Sequence, residues 1–357
     1  IIDQHMHLDR TNLFLDAVAD FSSSGGTGIM LVHKPSFSDS LPTNLEGYRE
    51  AYSDTISMAE EVRREFGLEV GVVLGPHPVA WEKQIPDLGI EESTELHLEA
   101  VSLALDYIDA GNAHCLGEVG RPHYPVEEEI WTRANDLLLE ILKMASLSKT
   151  SVQLHVEENQ KATYDDLSYL CASSGIPSDR AIRHFAPPNV SADFTNGLSA
   201  TVNVGKGSIE TIVQTARDAS SPWGMETDFL DDNRRPGAVL GPKTVPRRTQ
   251  ELCSSLLSKG WSENEVETLL EKVHYEWPKS LYGLRKNLIF GAKIITHPIV
   301  KIITDKTMKL NSPNGKSIPI DSTAILHRGP LIGRNSITST TPNLCLRIML
   351  DRAGILF

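Results

Sequence analysis

Two histidines one residue apart, His5 and His7 in Asp3-Gln4-His5-Met6-His7, close a short apolar run at the start of the chain. Alternation along a strand puts both on one face, ~6–7 Å apart along the backbone, near enough to grip one ion. Four more residues end separate apolar runs in the same way. They are Glu118 in Leu116-Gly117-Glu118-Val119-Gly120, His155 in Gln153-Leu154-His155-Val156-Glu157, His184 in Arg183-His184-Phe185 and Asp228 in Glu226-Thr227-Asp228. Each alone reads as an ordinary structural residue, but the same placement at one run end after another is hard to obtain by accident. Imidazoles with two carboxylates suit one or two borderline divalent ions such as Zn²⁺, with Mn²⁺ or Mg²⁺ favoured as the carboxylate share rises. His77 in Gly75-Pro76-His77-Pro78 and His123, just past the fourth run, are candidate pocket-lining residues. Arg121, Arg234 and Arg235 are candidate phosphate clamps, since a guanidinium fork matches phosphate oxygens. Neither a GxSxG elbow nor a Walker loop occurs, which argues against covalent serine chemistry and P-loop nucleotide hydrolysis.

These side chains can converge only if the segments that carry them end on one face. Short apolar runs at 1–6, 28–33, 70–75, 113–119, 152–156, 180–185, 199–204 and 223–228 read as strands. Helical periodicity fills 45–66, 91–110 and 126–147, and Gly111 supplies a stop for the second of these. Helical patterning ends near Leu284. Strands separated by amphipathic helices predict an α/β architecture, a (β/α)8 TIM-type barrel, in which every strand C-terminus faces the same mouth. A doubly wound open sheet is the weaker alternative, because no GxGxxG follows the first strand.

The charge is unevenly spread over the 357 residues. Residues 1–286 carry 25 basic and 44 acidic side chains, whereas 287–357 carry 9 and 3, no Glu at all, and 13 isoleucines. We therefore expect a catalytic unit over 1–286 and a basic, Ile-rich extension over 287–357, poorly ordered or outside that unit. Net charge is −13, which argues against an extended nucleic-acid footprint but leaves room for a local basic patch. No apolar run reaches the ~18 residues of a membrane helix and no basic-then-apolar leader opens the sequence. With four well-separated cysteines and no CxxC pair, this predicts reduced thiols, a cytoplasmic location and no membrane partner.

At these same residues the sequence resembles the TatD-like family of metal-dependent hydrolases, a branch of the amidohydrolase-type barrels. Asp3-Gln4-His5-Met6-His7-Leu8-Asp9 is similar to the family's opening DxHxHLD, Gly75-Pro76-His77-Pro78 to its GxHP, Gly117-Glu118-Val119-Gly120 to its GE[IV]G and Glu226-Thr227-Asp228 to its ETD. The resemblance covers about residues 1–285. It implies that His5, His7 and Asp228 hold one metal, that His155 and His184 hold another, and that Glu118 bridges them. It also implies that Asp228 orients the attacking water or takes its proton. Two ions roughly 3.5–4 Å apart polarise a phosphoryl oxygen and lower the pKa of a bound water towards ~7. The expected activity is therefore metal-dependent hydrolysis of a phosphodiester in a small molecule or at a nucleic-acid end. The alternatives are amide or lactone hydrolysis by the same water, and a barrel that binds metal or a metabolite without turnover. Two stretches depart from the family pattern: Glu157 and Glu158 follow the fifth-strand histidine where an Arg is common, and a long segment from Phe229 to Arg248 follows Asp228.

Overall fold

The computed structural model describes residues 1–35, 41–234 and 240–284, together with two residue pairs, Leu310–Asn311 and Ser317–Ile318, that form a short antiparallel bridge. The expected extension and the boundary at 286 lie otherwise outside the described residues. Strands β1 (Ile2–His7), β2 (Gly28–Val32), β3 (Glu69–Leu74), β4 (Cys115–Gly120), β5 (Val152–His155), β6 (Ala181–Ala186), β7 (Ser199–Asn203), β8 (Trp223–Glu226) and β9 (Phe229–Leu230) form one parallel sheet. Helices α1 (Leu15–Ser23), α2 (Leu45–Phe66), α3 (Pro78–Leu88), α4 (Ile90–Asp109), α5 (Glu128–Ser148), α6 (Gln160–Ser174), α7 (Ala192–Thr195) and α8 (Ser208–Thr215) connect them. Helices α9 (Thr244–Ser258), α10 (Glu263–Glu271) and α11 (Trp277–Tyr282) follow the last strand.

The strands lie in sequence order, and β9 continues β8 after Thr227 and Asp228 to pair with β1. Thr227 donates its amide to Asp3 Oδ1 at 3.1 Å and its hydroxyl to Asp3 Oδ2 at 2.7 Å, so last strand and first are laced together. This is the predicted TIM-type ring. Its seam is a two-residue strand too short for a periodic signal. Long helices carry an apolar stripe onto the strands: in α5 it is Ala134, Leu137, Leu138, Ile141, Leu142 and Ala145. Each fully buried Leu or Ile there contributes about 1.5–3 kcal/mol. Helix α2 starts where Asn44 accepts the Gly47 amide at 3.0 Å and stops at left-handed Gly67. Helix α10 opens with a capping box between Ser262 and Glu265.

Inside the ring, Met30, Val73, Cys115 and Ile182 pack on Leu281 and Leu284. Tyr282 plugs the floor, its hydroxyl accepting from Gln153 at 3.1 Å and donating to Gln4 at 3.3 Å. The closing helix thus seals the end opposite the strand C-termini. Among the described residues, no helix is long and apolar enough to cross a membrane.

One core residue makes stability pH-dependent. His97 of α4 is fully buried, neither ring nitrogen has a hydrogen-bond partner among the described residues, and burial pushes its pKa down to about 3. The unfolded chain therefore binds a proton near pH 6.5 that the folded chain refuses, and stability is lost as pH falls from there towards 3. At pH 5 the penalty is about 2 kcal/mol. His97→Leu should therefore raise the melting temperature more at pH 5 than at pH 8; equal shifts at both pH values would refute this account.

Candidate metal centre

The expected ligands meet at the C-terminal mouth of the ring. Their strands do not run in perfect register there. The pairing of β1 with β2 shifts between Asp3 and Met6, that of β4 with β5 between Leu116 and Val119, and that of β6 with β7 between Arg183 and Ala186. Each irregularity contains one member of the cluster: His5, Glu118 and His184. Bulges of this kind bend a strand and re-aim its side chains. Strand β4 also passes so close to β5 that a Cβ on Gly120 would sit 1.9 Å from the His155 carbonyl oxygen, which only glycine permits.

Glu118 lies at the centre, 4% exposed, and its two oxygens face two different groups of donors. Oε1 is 3.2 Å from His5 Nε2 and 3.0 Å from His7 Nε2. Those two nitrogens are 3.2 Å apart, and Asp228 Oδ1 is 3.7 Å from each. Oε2 is 2.7 Å from His155 Nδ1, 3.0 Å from His184 Nε2 and 3.6 Å from His77 Nε2. His155 Nδ1 and His184 Nε2 are 2.9 Å apart. Two ligand atoms on one tetrahedral zinc stand about 3.4 Å from each other. The spacings on the His5–His7 side, 3.0–3.7 Å, bracket that figure, and those among Glu118, His155 and His184, 2.7–3.0 Å, lie a little below it, so the residues fit one ion on each side of a shared carboxylate. Groups His5, His7, Asp228 and His77, Glu118, His155 each hold their ligand atoms within 4.8 Å.

The protein's own charges are severe here. Burial pulls the His5 pKa down to about 4, aided by His184. Burial opposes charge on His184 as well, yet Glu118 and Glu226 on either side raise its pKa well above the usual value. Burial raises Glu118, but the surrounding imidazoles, His184 first, hold it well below the ordinary carboxylate range. Burial pushes Asp228 up to about 7. Such opposed shifts in one cleft mark functional sites.

Outer contacts fix the rings. His7 Nδ1 is 3.1 Å from the Val32 carbonyl oxygen, which sets its tautomer. His77 caps α3, its Nδ1 accepting the Val79 amide at 3.1 Å, while its Nε2 stands 3.6 Å from Glu118. His123 Nδ1 is 2.6 Å from His155 Nε2 on the exposed side of the cluster. Asp231 accepts the amides of Asp9, Leu13 and Phe14, and Lys34 bonds Asp9 at 2.5 Å, so the loops after β1, β2 and β9 are tied together. A cavity of about 650 Å³ opens beside His33, Lys34, Tyr48 and His77.

Of the candidate arginines, Arg121 is 1% exposed, and Glu157, Asn135 and Asp166 engage its guanidinium. Those partners come from the β5 loop, α5 and α6, which no local pattern in the sequence brings to Arg121. Arg234 is exposed and bonded to Asp232 at 2.9 Å, and Arg235 lies outside the described residues. Two participants had no role assigned from sequence. Glu226, fully buried on β8, has Oε1 at 3.5 Å from His184 Nδ1; its only signal is its place beside Asp228. Asp3 supports Thr227 from below, and burial raises its pKa to about 7.

A parallel ring whose strand ends gather imidazoles around one buried carboxylate has the layout of barrel-type metal-dependent hydrolases. The chain belongs to the TatD-related DNase family, whose profile matches residues 2–277. It is 24% identical over 287 residues to an uncharacterized protein of Methanocaldococcus jannaschii, covering 80% of this chain and 96% of that one. Its structure is similar to that of YjjV, a TatD homologue of Escherichia coli K12, with a TM-score of 0.51 and 18% identity over 80% of this chain and 98% of the other. A TatD-family hydrolase of Entamoeba histolytica also gives 0.51, with 11% identity over 79% of this chain and 98% of its own. At these identities the structural likeness speaks for the fold alone.

Proposed function

We propose that this chain hydrolyses phosphodiester bonds, in a small molecule or at a nucleic-acid end, with a water activated by one or two divalent ions (Zn²⁺, Mn²⁺ or Mg²⁺). The observation that carries this reading is the division of donors between the two oxygens of Glu118, because paired ions suit in-line displacement at phosphorus. His5, His7 and Asp228 would hold one ion and His155 and His184 the other, with Glu118 between them. When bound, the ions supply Lewis-acid polarisation and a lowered water pKa.

The chain's own groups do the rest. Asp228 has Oδ1 3.7 Å from both His5 Nε2 and His7 Nε2, which sets a carboxylate beside the first ion's place to orient a water or take its proton. The buried His77, with Nε2 3.6 Å from Glu118, and the exposed His123, 2.6 Å from His155, flank the second side. Glu226 faces the far nitrogen of His184 at 3.5 Å.

Metal-reloaded protein should be offered single-stranded DNA, RNA and a panel of lactones. The expected result is metal-dependent phosphodiester cleavage that is absent in Glu118→Ala. Turnover of lactones alone would move the function to the amide and lactone class. Metal uptake without any turnover would favour a binding barrel.

A further inference from the structure

Phe185 follows His184 in β6 and breaks that strand's pattern. The other residues of Ala181–Ala186 are buried, whereas Phe185 is 51% exposed. The other large exposed apolar side chains among the described residues are Leu13, Leu147 and Tyr169, and none of them lies in a strand. Scattered exposed apolar residues on loops and outer helix faces need no explanation. A phenylalanine at a strand end beside a metal cluster does.

Its backbone is strained as well. Phe185 has φ +50°, in the left-handed region that bulky side chains avoid. The strain is held by a buried group: the Phe185 amide donates to Glu226 Oε1 at 2.8 Å, and Glu226 is fully buried. The same carboxylate oxygen is 3.5 Å from His184 Nδ1. One buried carboxylate thus faces a residue of the metal cluster and hydrogen-bonds the backbone that turns the next side chain outward. The Phe185 ring centroid stands 6.3 Å from that of His184, whose Nε2 is 3.0 Å from Glu118. An ordinary strand would have avoided both the strain and the exposed ring. The register shift in this part of β6 is what presents the ring at the mouth.

We infer that Phe185 is a stacking platform for a planar ring of the substrate, a nucleobase if the phosphodiester reading above, on which that identification rests, holds. The platform offers one aromatic face and no hydrogen-bond code, so it takes any base, since every base has a π-face. Its position beside the cluster sets the base next to the phosphate being cleaved and leaves the rest of a chain free in solvent. The substrate class is therefore a nucleotide or strand end without base preference.

Two diesters with the same leaving group test this: thymidine 5′-(p-nitrophenyl phosphate) and methyl p-nitrophenyl phosphate. In the metal-loaded wild type the nucleoside diester should be preferred, and in Phe185→Ala that preference in kcat/KM should fall about tenfold, mainly through KM. Phe185→Trp should restore it, and both variants should keep the wild-type metal content. An unchanged preference would overturn the inference. The indole of Phe185→Trp gives a second readout that needs no turnover. Its emission should respond to thymidine monophosphate at concentrations about tenfold below those needed for deoxyribose 5-phosphate. Equal responses to the two would also overturn the platform. If the wild type cleaves neither diester, the phosphodiester reading fails separately, and the fluorescence contrast still decides the stacking.

Discussion

Replacing Glu118 by Gln is expected to remove at least one equivalent of bound metal and to lower hydrolysis by more than about a hundredfold. The magnitude follows from its position, because even the outer partners of metal ligands are worth 10–100-fold, and Glu118 sits between both groups of donors. Gln keeps the shape of the side chain but removes the charge. It brings an NH₂ group to one of two oxygen positions that each face imidazole nitrogens at 2.7–3.2 Å. The carboxylate and Glu226 also favour the charged form of His184, raising that pKa well above the usual value. Imidazole ligands bind metal in their neutral form, so metal uptake should weaken as pH falls. Elemental analysis after reloading, with rates measured alongside, checks the prediction. A Gln variant with full metal content and wild-type turnover would show that Glu118 is not the bridge.

Much of this site was legible because barrel chemistry is local in sequence. His5, His7, Glu118, His155, His184 and Asp228 each end or follow a short apolar run, and the fold carries every such end to one mouth. The helix over 45–66 was equally plain from its periodicity and coincides with α2. What could not be read arises between segments. Strand β9 is two residues long, and its pairing with β1 depends on a contact across more than two hundred positions. The conformation of Phe185 was hidden because His184-Phe185 sits in an apolar run that alternation would bury; the register shift of β6 has no signature there. Glu226 looked like a motif companion of Asp228, and its tie to His184 and to the Phe185 amide appears only once β6 and β8 are brought to the same rim.

Arg121 carries the second large prediction, and its effect should fall on stability. The guanidinium forks onto Glu157 with bonds of 2.8 and 2.7 Å, and its remaining nitrogen meets Asn135 at 2.6 Å and Asp166 at 2.5 Å. Its face lies over the Trp131 ring, 4.7 Å from the centroid. These contacts join the loop after β4 to the loop after β5 and to helices α5 and α6, directly behind His155. Deleting one partner of a fully buried pair costs about 3–5 kcal/mol, mainly because the other charge is left stranded. Here Asp166 is 50% exposed and Glu157 23%, so water can take up part of the loss. Arg121→Met should therefore cost about 2–4 kcal/mol, or roughly 3–7 °C in melting temperature for a unit of this size. A phosphate clamp would behave in the opposite way, with an unmoved melting temperature and a KM for phosphodiesters raised tenfold or more. The two outcomes separate cleanly when thermal melts are run beside kinetics at 20 °C, well below any unfolding. Packing behind His155 predicts lower stability with KM within about threefold of wild type, since a displaced but intact His155 still faces Glu118.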